Sequence, residues 1–387
     1  MKIDKLGSKW VEINLSVLDR NFRHIIRKVA PADLIAVVKA DAYGHGAVEV
    51  ARCAEKCGAR VFAVSCLEEA IELRRNFVNR EILIFGAPPE NQIIDIINYG
   101  LTPTVCSLSF AKTLSKEAAR LKKEVKVHVC VDTGDGRVGP FYAQALPFIR
   151  QVAAIKHLKL TGLYSHFSTA DEDIRFAKTQ MERFDCLLSE LRESGLRIPM
   201  IHLANSAGVL NLKGSAYTHV RPGLLLYGIY PCERKRNFPQ VESVFSFKTR
   251  VTFVKTVPKG FTVSYGRRFI TEETTDIVTL PVGYADGFPR KFSNAGEVLI
   301  GGRRYPVVGA VCMDMIMVNT GPGSGVKVGD EAVLIGRQGR EEISVYEIAQ
   351  RLGTIPYEVI CNIGKRVTRV YLKDGEVFEV KRMISEF

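Results

Sequence analysis

Apolar and polar positions repeat with two different periods along this chain, and the character changes near residue 235. Residues 10–15, WVEINL, alternate and read as a half-buried strand. Ser16 stands where it could cap the helix that follows to about Lys28. Short apolar runs of strand length then stand at 34–39, 61–64, 82–85, 102–105, 125–131, 159–163, 199–203 and 218–221. Helical periods separate most of them, at 47–57, 67–78, 90–98, 108–122, 141–154 and 173–194, with a shorter helix at 205–212. Strands that alternate with helices pair in parallel, and eight of them close most economically into a (β/α)8 barrel. An open doubly wound sheet would carry a glycine-rich dinucleotide turn after its first strand, and that turn is absent from this sequence.

Residues 234–240 are polar, hold a proline and read as a linker. Short β-type runs follow at 244–256, 276–281, 298–300, 305–311, 315–318, 331–335 and 367–378, punctuated by Gly and Pro. One clear helix intrudes at 344–352, with Ser344 and Glu347 spaced as a capping box. The expected architecture is an α/β chain: an N-terminal (β/α)8 TIM-like barrel over 1–240 and a mainly antiparallel β domain over 241–387. The strand near 10–15 is a candidate to pack with the second domain.

Composition narrows the class. The chain has 387 residues, 46% hydrophobic and 25% charged, ordinary for a globular protein with room for two domains. Its apolar runs are far too short for a bilayer span, and MKIDKLGSKW is not a signal peptide. Nine cysteines in no metal-like spacing suggest reduced thiols in a cytoplasmic protein. The net charge of +12 raises nucleic acid as a partner. The basic residues are dispersed and no nucleic-acid-binding signature is present, so a solvated basic surface is the better reading. All seven histidines lie before residue 220, which assigns any histidine chemistry to the first part of the chain.

A barrel of this kind places its site at the C-terminal ends of its strands. Lys39 ends the first. Arg137 follows the fifth, within VDTGDGRVG at 131–139; His166 follows the sixth; His202, Asn205 and Ser206 follow the seventh; Arg221 ends the eighth. Tyr43 lies just past Lys39. Each alone has an ordinary explanation: a lysine that snorkels to water, a core histidine, a capping serine, a surface arginine. Together they point a lysine, two arginines, a histidine and phosphate-type donors at one mouth. That inventory fits pyridoxal 5'-phosphate. Its aldehyde needs one lysine for a Schiff base, and its phosphate needs hydroxyls and backbone N–H groups, which Tyr43, Ser206 and the turn at Gly223 could supply. Were Arg221 to face the pyridine nitrogen, that permanent cation would keep the nitrogen unprotonated and weaken the electron sink, favouring proton exchange over transamination.

At these residues the chain resembles the alanine racemase family, bacterial fold-type III pyridoxal phosphate enzymes. The stretch 36–46, AVVKADAYGHG, is similar to the family's lysine signature. Further matches stand in order downstream: SYGR at 264–267, VGYADG at 282–287, VCMD at 311–314 and IPYEV at 355–359. The resemblance implies that Lys39 carries the cofactor and that Tyr43, Ser206, Tyr357 and the backbone at Gly223 and Leu224 hold its phosphate. It implies that Arg221 faces the ring nitrogen, Arg137 the phenolic oxygen and His166 the ring, with His202 bracing Arg221. Tyr265 and Met313 would come from a partner subunit, Tyr265 as the second base and Met313, with Arg137, at the substrate carboxylate. Tyr284 and Asp314 resemble entrance residues. The implied activity is interconversion of L- and D-alanine by two bases on opposite faces of Cα, Lys39 for the D-alanine proton and Tyr265 for the L-alanine proton, in a homodimer with shared sites. D-alanine for the cell wall is the family's use of the product.

The sequence departs from the family at Cys130 and at Asp135, where the family often has Met. Many members carry a lysine, carbamylated, two residues before the DTG triplet, where it positions the arginine matching Arg137. Here the residue is Cys130. The expectation is that the carbamate is absent and that Asp135, a bound anion or a water takes its place. The alternatives are a same-fold racemase of serine, lysine or several amino acids; a fold-type III decarboxylase, which would place a carboxylate where Arg221 stands; and a non-catalytic pyridoxal phosphate-binding barrel, which lacks a β domain. Membrane, metal and nucleic-acid partners are not expected.

Overall fold

The computed structural model describes residues 7–233 and 238–382. The first six residues and part of the stretch read as a linker, 234–237, lie outside the described residues. The chain forms two compact units, one of Leu18–Glu242 and one joining Met1–Val17 to Ser243–Phe387.

In the first unit eight parallel strands close into a barrel. After β1 (Lys9–Asn14) these are β2 (Asp33–Val37), β3 (Val61–Val64), β4 (Glu81–Ile84), β5 (Thr102–Val105), β6 (Val125–Cys130), β7 (Leu158–Tyr164), β8 (Met200–His202) and β9 (His219–Val220). Closure is made by β9 on β2, with Asp33 opposite His219 and Leu34 opposite Val220. Helices cover the outside, so the strands are buried on both faces and read as continuous apolar runs; Val61–Val64 is buried throughout. Local capping fixes where those helices begin. Ser107 accepts from the Phe110 N–H, Asp173 from those of Arg175 and Phe176, and Asn205 from that of Gly208.

The second unit is mainly antiparallel sheet. Its first strand is β1, paired antiparallel with β10 (Phe245–Arg250) and parallel with Thr368–Lys373. Four sequence expectations need correction here. Ser16 is no cap: the helix begins at Leu15, the Asn14 side chain accepts from the Val17 N–H at 3.0 Å, and Ser16 bonds Asp374 instead. The run 244–256 breaks after Arg250, because Val251 and Thr252 switch partners to Asp330 and Thr279 before the strand Phe253–Val257. The run 367–378 is a hairpin, turned at Asp374 and Gly375 with φ of 53° and 84°. A second helix, Pro356–Cys361, escaped notice because six residues are too few to show a period. Ser344 does cap Val345–Leu352, accepting from the Glu347 N–H.

Candidate active site at the barrel mouth

Lys39 does not end a strand. β2 stops at Val37, and Ala40, Asp41, Ala42 and Tyr43 follow with φ between 52° and 55°, one left-handed turn built of L-residues. Such angles cost roughly 1–2 kcal/mol per residue. Hydrogen bonds hold the turn in place. Glu69 accepts from the Ala40 N–H at 2.6 Å, and Val38 O from the Ala42 N–H at 2.9 Å. The Asp41 carboxylate accepts from the Ala47 N–H at 2.8 Å, tying the turn to the next helix. Gly44 and Gly46, at φ of 82° and 90°, let the chain leave it. The turn leaves Lys39 half-buried and Tyr43 buried.

Arg221 is the hub of the mouth. It is buried, donating through Nη1 to His202 Nδ1 at 2.9 Å and through Nη2 to Ser165 O at 2.7 Å, Leu203 O at 3.2 Å and His166 Nδ1 at 3.2 Å. Its guanidinium lies 5.1 Å from the centre of the Tyr164 ring, which stacks on His202 at 4.8 Å. Burial pushes Arg221 down to about 10, still charged at neutral pH. Burial first, and the Arg221 charge next, hold His166 and His202 well below the usual imidazole range. Lys39 and Arg137 add their charges at His166, so the three cations share one neighbourhood. Because Arg221 can only donate, the Nδ1 atoms of both neutral histidines must accept, and each carries its proton on Nε2.

A small cradle lies beside this hub. Ser206 Oγ accepts from the N–H groups of Gly223 at 2.9 Å and Leu225 at 3.2 Å. Its own hydroxyl hydrogen and the Leu224 N–H between them have no acceptor among the described residues. A Cβ on Gly223 would lie 2.3 Å from the Tyr43 hydroxyl oxygen, so only glycine admits the phenol there. A buried hydroxyl, an unsatisfied N–H and a phenol form a donor set that suits a phosphate ester.

Arg137 sits on the loop after β6, more than half exposed, with Nη2 3.1 Å from Asp135 Oδ2. The loop is shaped by Asp132, whose carboxylate accepts from the N–H groups of Gly134, Asp135 and Gly136. Cys130 is buried, and burial pushes its thiol up to about 12, so it is neutral and cannot serve as the anionic partner of Arg137. Asp135 is the carboxylate that Arg137 meets.

The remaining predicted residues belong to the other unit. Tyr265 begins a short turn entered through Ser264 at φ 67° and is 75% exposed; Met313 and Tyr284 are also exposed. Ser264 Oγ donates to Ala310 O at 2.7 Å, which sets the Tyr265 turn beside the segment leading to Met313. Tyr284 and Ala285 donate to Cys312 O and Met313 O, joining those two loops. Arg366 then bridges buried Asp286 and Asp314, each at 2.6 Å, while Lys9 meets Asp286 at 2.7 Å. Tyr357 is half-buried in the helix begun by Pro356. Sequence reasoning overlooked Glu69, which holds the Lys39 turn, and the Asp286–Arg366 pair under the loops that carry Tyr284 and Met313. The first has no sequence signal; the second was legible only as an acidic residue inside VGYADG.

Among the described residues no helix is long and apolar enough to cross a membrane, and no group of side chains is placed to hold a metal. All nine cysteines are free thiols.

Family models for the alanine racemase N-terminal domain and C-terminal domain match residues 13–231 and 244–371. The alanine racemase of Carboxydothermus hydrogenoformans is 44% identical over 94% of this chain and 99% of its own length. Alanine racemase 1 of Caldanaerobacter subterraneus subsp. tengcongensis is 43% identical over 97% of each. The solved alanine racemase of Clostridium difficile 630 superposes with a TM-score of 0.95 at 35% identity, covering 99% of this chain and 100% of that one. That of Bacillus anthracis, solved with bound L-Ala-P, gives a TM-score of 0.89 at 36% identity over 97% of each chain. A closed parallel barrel, a mainly β second unit and near full-length identity agree: the chain belongs to the alanine racemase family of isomerases.

Proposed function

We propose that this chain interconverts L- and D-alanine, with pyridoxal 5'-phosphate held at the barrel mouth and each site completed by a second copy of the chain. The observation that carries the reading is the buried Arg221, hydrogen-bonded to both His166 and His202. A group facing this permanent donor has to be an acceptor, as an unprotonated pyridine nitrogen is. Lys39 would anchor the cofactor covalently. Tyr43, the Ser206 hydroxyl, the Leu224 N–H beside Gly223, and Tyr357 would hold its phosphate. When bound, the cofactor supplies an electron-withdrawing ring that acidifies the proton on the amino acid Cα. His166 would lie against that ring, and Arg137 would meet its phenolic oxygen and the substrate carboxylate, with Met313.

Two proton carriers on opposite faces of Cα make the exchange stereochemically complete. Lys39 Nζ serves the D-alanine face. The Tyr265 hydroxyl oxygen, from the second copy, serves the L-alanine face. A tyrosine near pKa ~10 is a poor base at neutral pH. The Nε2–H of His166, fixed as a donor by Arg221, is the group available to stabilise the phenolate. The exposure of Tyr265, Met313 and Tyr284 supports delivery to a neighbouring subunit, with Tyr284 and Asp314 at the entrance.

The test is a chiral assay of the purified protein over alanine, serine and lysine, with and without added pyridoxal phosphate. Cofactor-dependent racemisation with alanine preferred is the expected result. Equal rates across the panel would replace alanine with a broad substrate range, and release of carbon dioxide without racemisation would overturn the reading.

A further inference from the structure

The polar chain that begins at Arg221 does not end at His202. His202 Nε2 lies 3.1 Å from His128 Nδ1, and His128 Nε2 lies 3.7 Å from Glu81 Oε1. We propose that His128 and Glu81 are positioning residues of the racemase site, acting through His202 to orient Arg221. What Arg221 faces rests on the function proposed above; the relay itself rests on the barrel alone.

The direction of the relay follows from the donor inventory. Arg221 has no acceptor to offer, so His202 Nδ1 accepts and its proton sits on Nε2. That N–H points at His128 Nδ1, which must accept in turn. The His128 proton is then on Nε2, facing the Glu81 carboxylate. A second proton on either ring would set donor against donor. Burial agrees, holding His128 down to about 3. His219 adds its field at both rings and is engaged by Thr218 Oγ1 at 2.9 Å, Lys126 adds its charge at His128, and the Tyr164 ring stacks on His202.

The barrel is shaped to admit this chain. A Cβ on Gly162, opposite His128, would lie 2.3–2.4 Å from three atoms of the imidazole. Pairing of β6 with β7 shifts register between Val127 and His128. At the far end, His128 Nε2 and Glu81 Oε1 are both buried and have no hydrogen-bond partner among the described residues, while Lys126 holds Glu81 Oε2 at 2.7 Å. Each is the obvious partner of the other. A carboxylate drawing on the His128 N–H makes both rings better acceptors in turn, as carboxylates behind metal-bound histidines do. Arg221 is thereby fixed from the opposite end of the barrel.

The test uses the full-length protein, labelled with nitrogen-15 at histidine, with and without pyridoxal phosphate. His128 and His202 are expected as neutral Nε2–H tautomers. Glu81→Gln should perturb both tautomers and lower kcat roughly tenfold with KM within twofold, and Glu81→Asp should recover part of both. Lys126→Met, which touches the same carboxylate outside the relay, should change kcat less than twofold. A native His202 protonated at Nδ1, or Glu81→Gln with unchanged tautomers and turnover, would overturn the proposal. Should the protein take up no pyridoxal phosphate, the function proposed above falls, and the tautomers still decide the relay.

Discussion

The two sets of candidate site residues are built in opposite ways. At the barrel mouth Arg221, His202, Ser206 and Tyr43 are buried, and the first three are held by hydrogen bonds to backbone or to one another. On the second unit Tyr265, Met313 and Tyr284 are exposed, and what is fixed there is the backbone beneath them. Burial sets geometry and tautomer in advance. Exposure leaves a side chain without a defined environment until another surface covers it. The proposed shared site divides the work along that line: a finished half that binds, and a presented half that waits for assembly.

The largest test of that division is complementation. Lys39→Ala and Tyr265→Ala should each lose on the order of a thousandfold or more in turnover. Subunits of the two variants, mixed and allowed to exchange, should regain about a quarter of wild-type activity, since half the dimers are hybrids with one intact site in two. No recovery would place both residues of a site on one chain. Acid should separate the units next. His128, His166 and His202 have pKa values below that of an unfolded imidazole, so the unfolded chain binds protons first as pH falls below ~6.5. Each then removes about 1.4 kcal/mol of stability per pH unit, for His128 down to about pH 3. The second unit has no histidine and holds the single tryptophan, Trp10, fully buried. Loss of helical circular dichroism should therefore precede the change in tryptophan fluorescence on acidification; coincident transitions would refute an uneven sensitivity. Smaller in scale, Gly223→Ala should weaken pyridoxal phosphate binding roughly tenfold by displacing Tyr43, read by cofactor absorbance, with little change in melting temperature. Smallest is Asp135→Asn. Arg137 is exposed, and such pairs contribute about 0–1 kcal/mol, so a rise in KM of a few-fold with kcat near wild type is expected. No change would assign the orientation of Arg137 to another acceptor.

The barrel was readable because its signals are local. Each strand is a short apolar run and each helix a period of known length, and the closed eight-strand ring follows from their number and order. The mouth was readable because Lys39, Arg137, His166 and Arg221 stand at or just past the ends of such runs. What escaped were features that depend on contacts far apart in sequence. Nothing near Glu81 or Glu69 announces a partner, since His128 and Ala40 reach them only once the barrel closes. Ser16 was misread because a serine beside a helix start looks like a cap, while its partner, Asp374, is 358 positions away. The hairpin at Asp374 and Gly375 carried a usable turn signal that the longer β pattern obscured.

Ala40, Asp41, Ala42 and Tyr43 occupy the mirror image of ordinary helical backbone. For a chain of L-residues that corner is a standing load on the fold, about 4–8 kcal/mol over four positions, comparable with the whole stability of many domains. Mirror-image building blocks would carry none of it. A chain assembled chemically with a D-alanine at position 40 or 42 would meet the same angles without steric conflict. At this corner, next to Lys39, the better-fitting monomer is the enantiomer that ribosomes do not use.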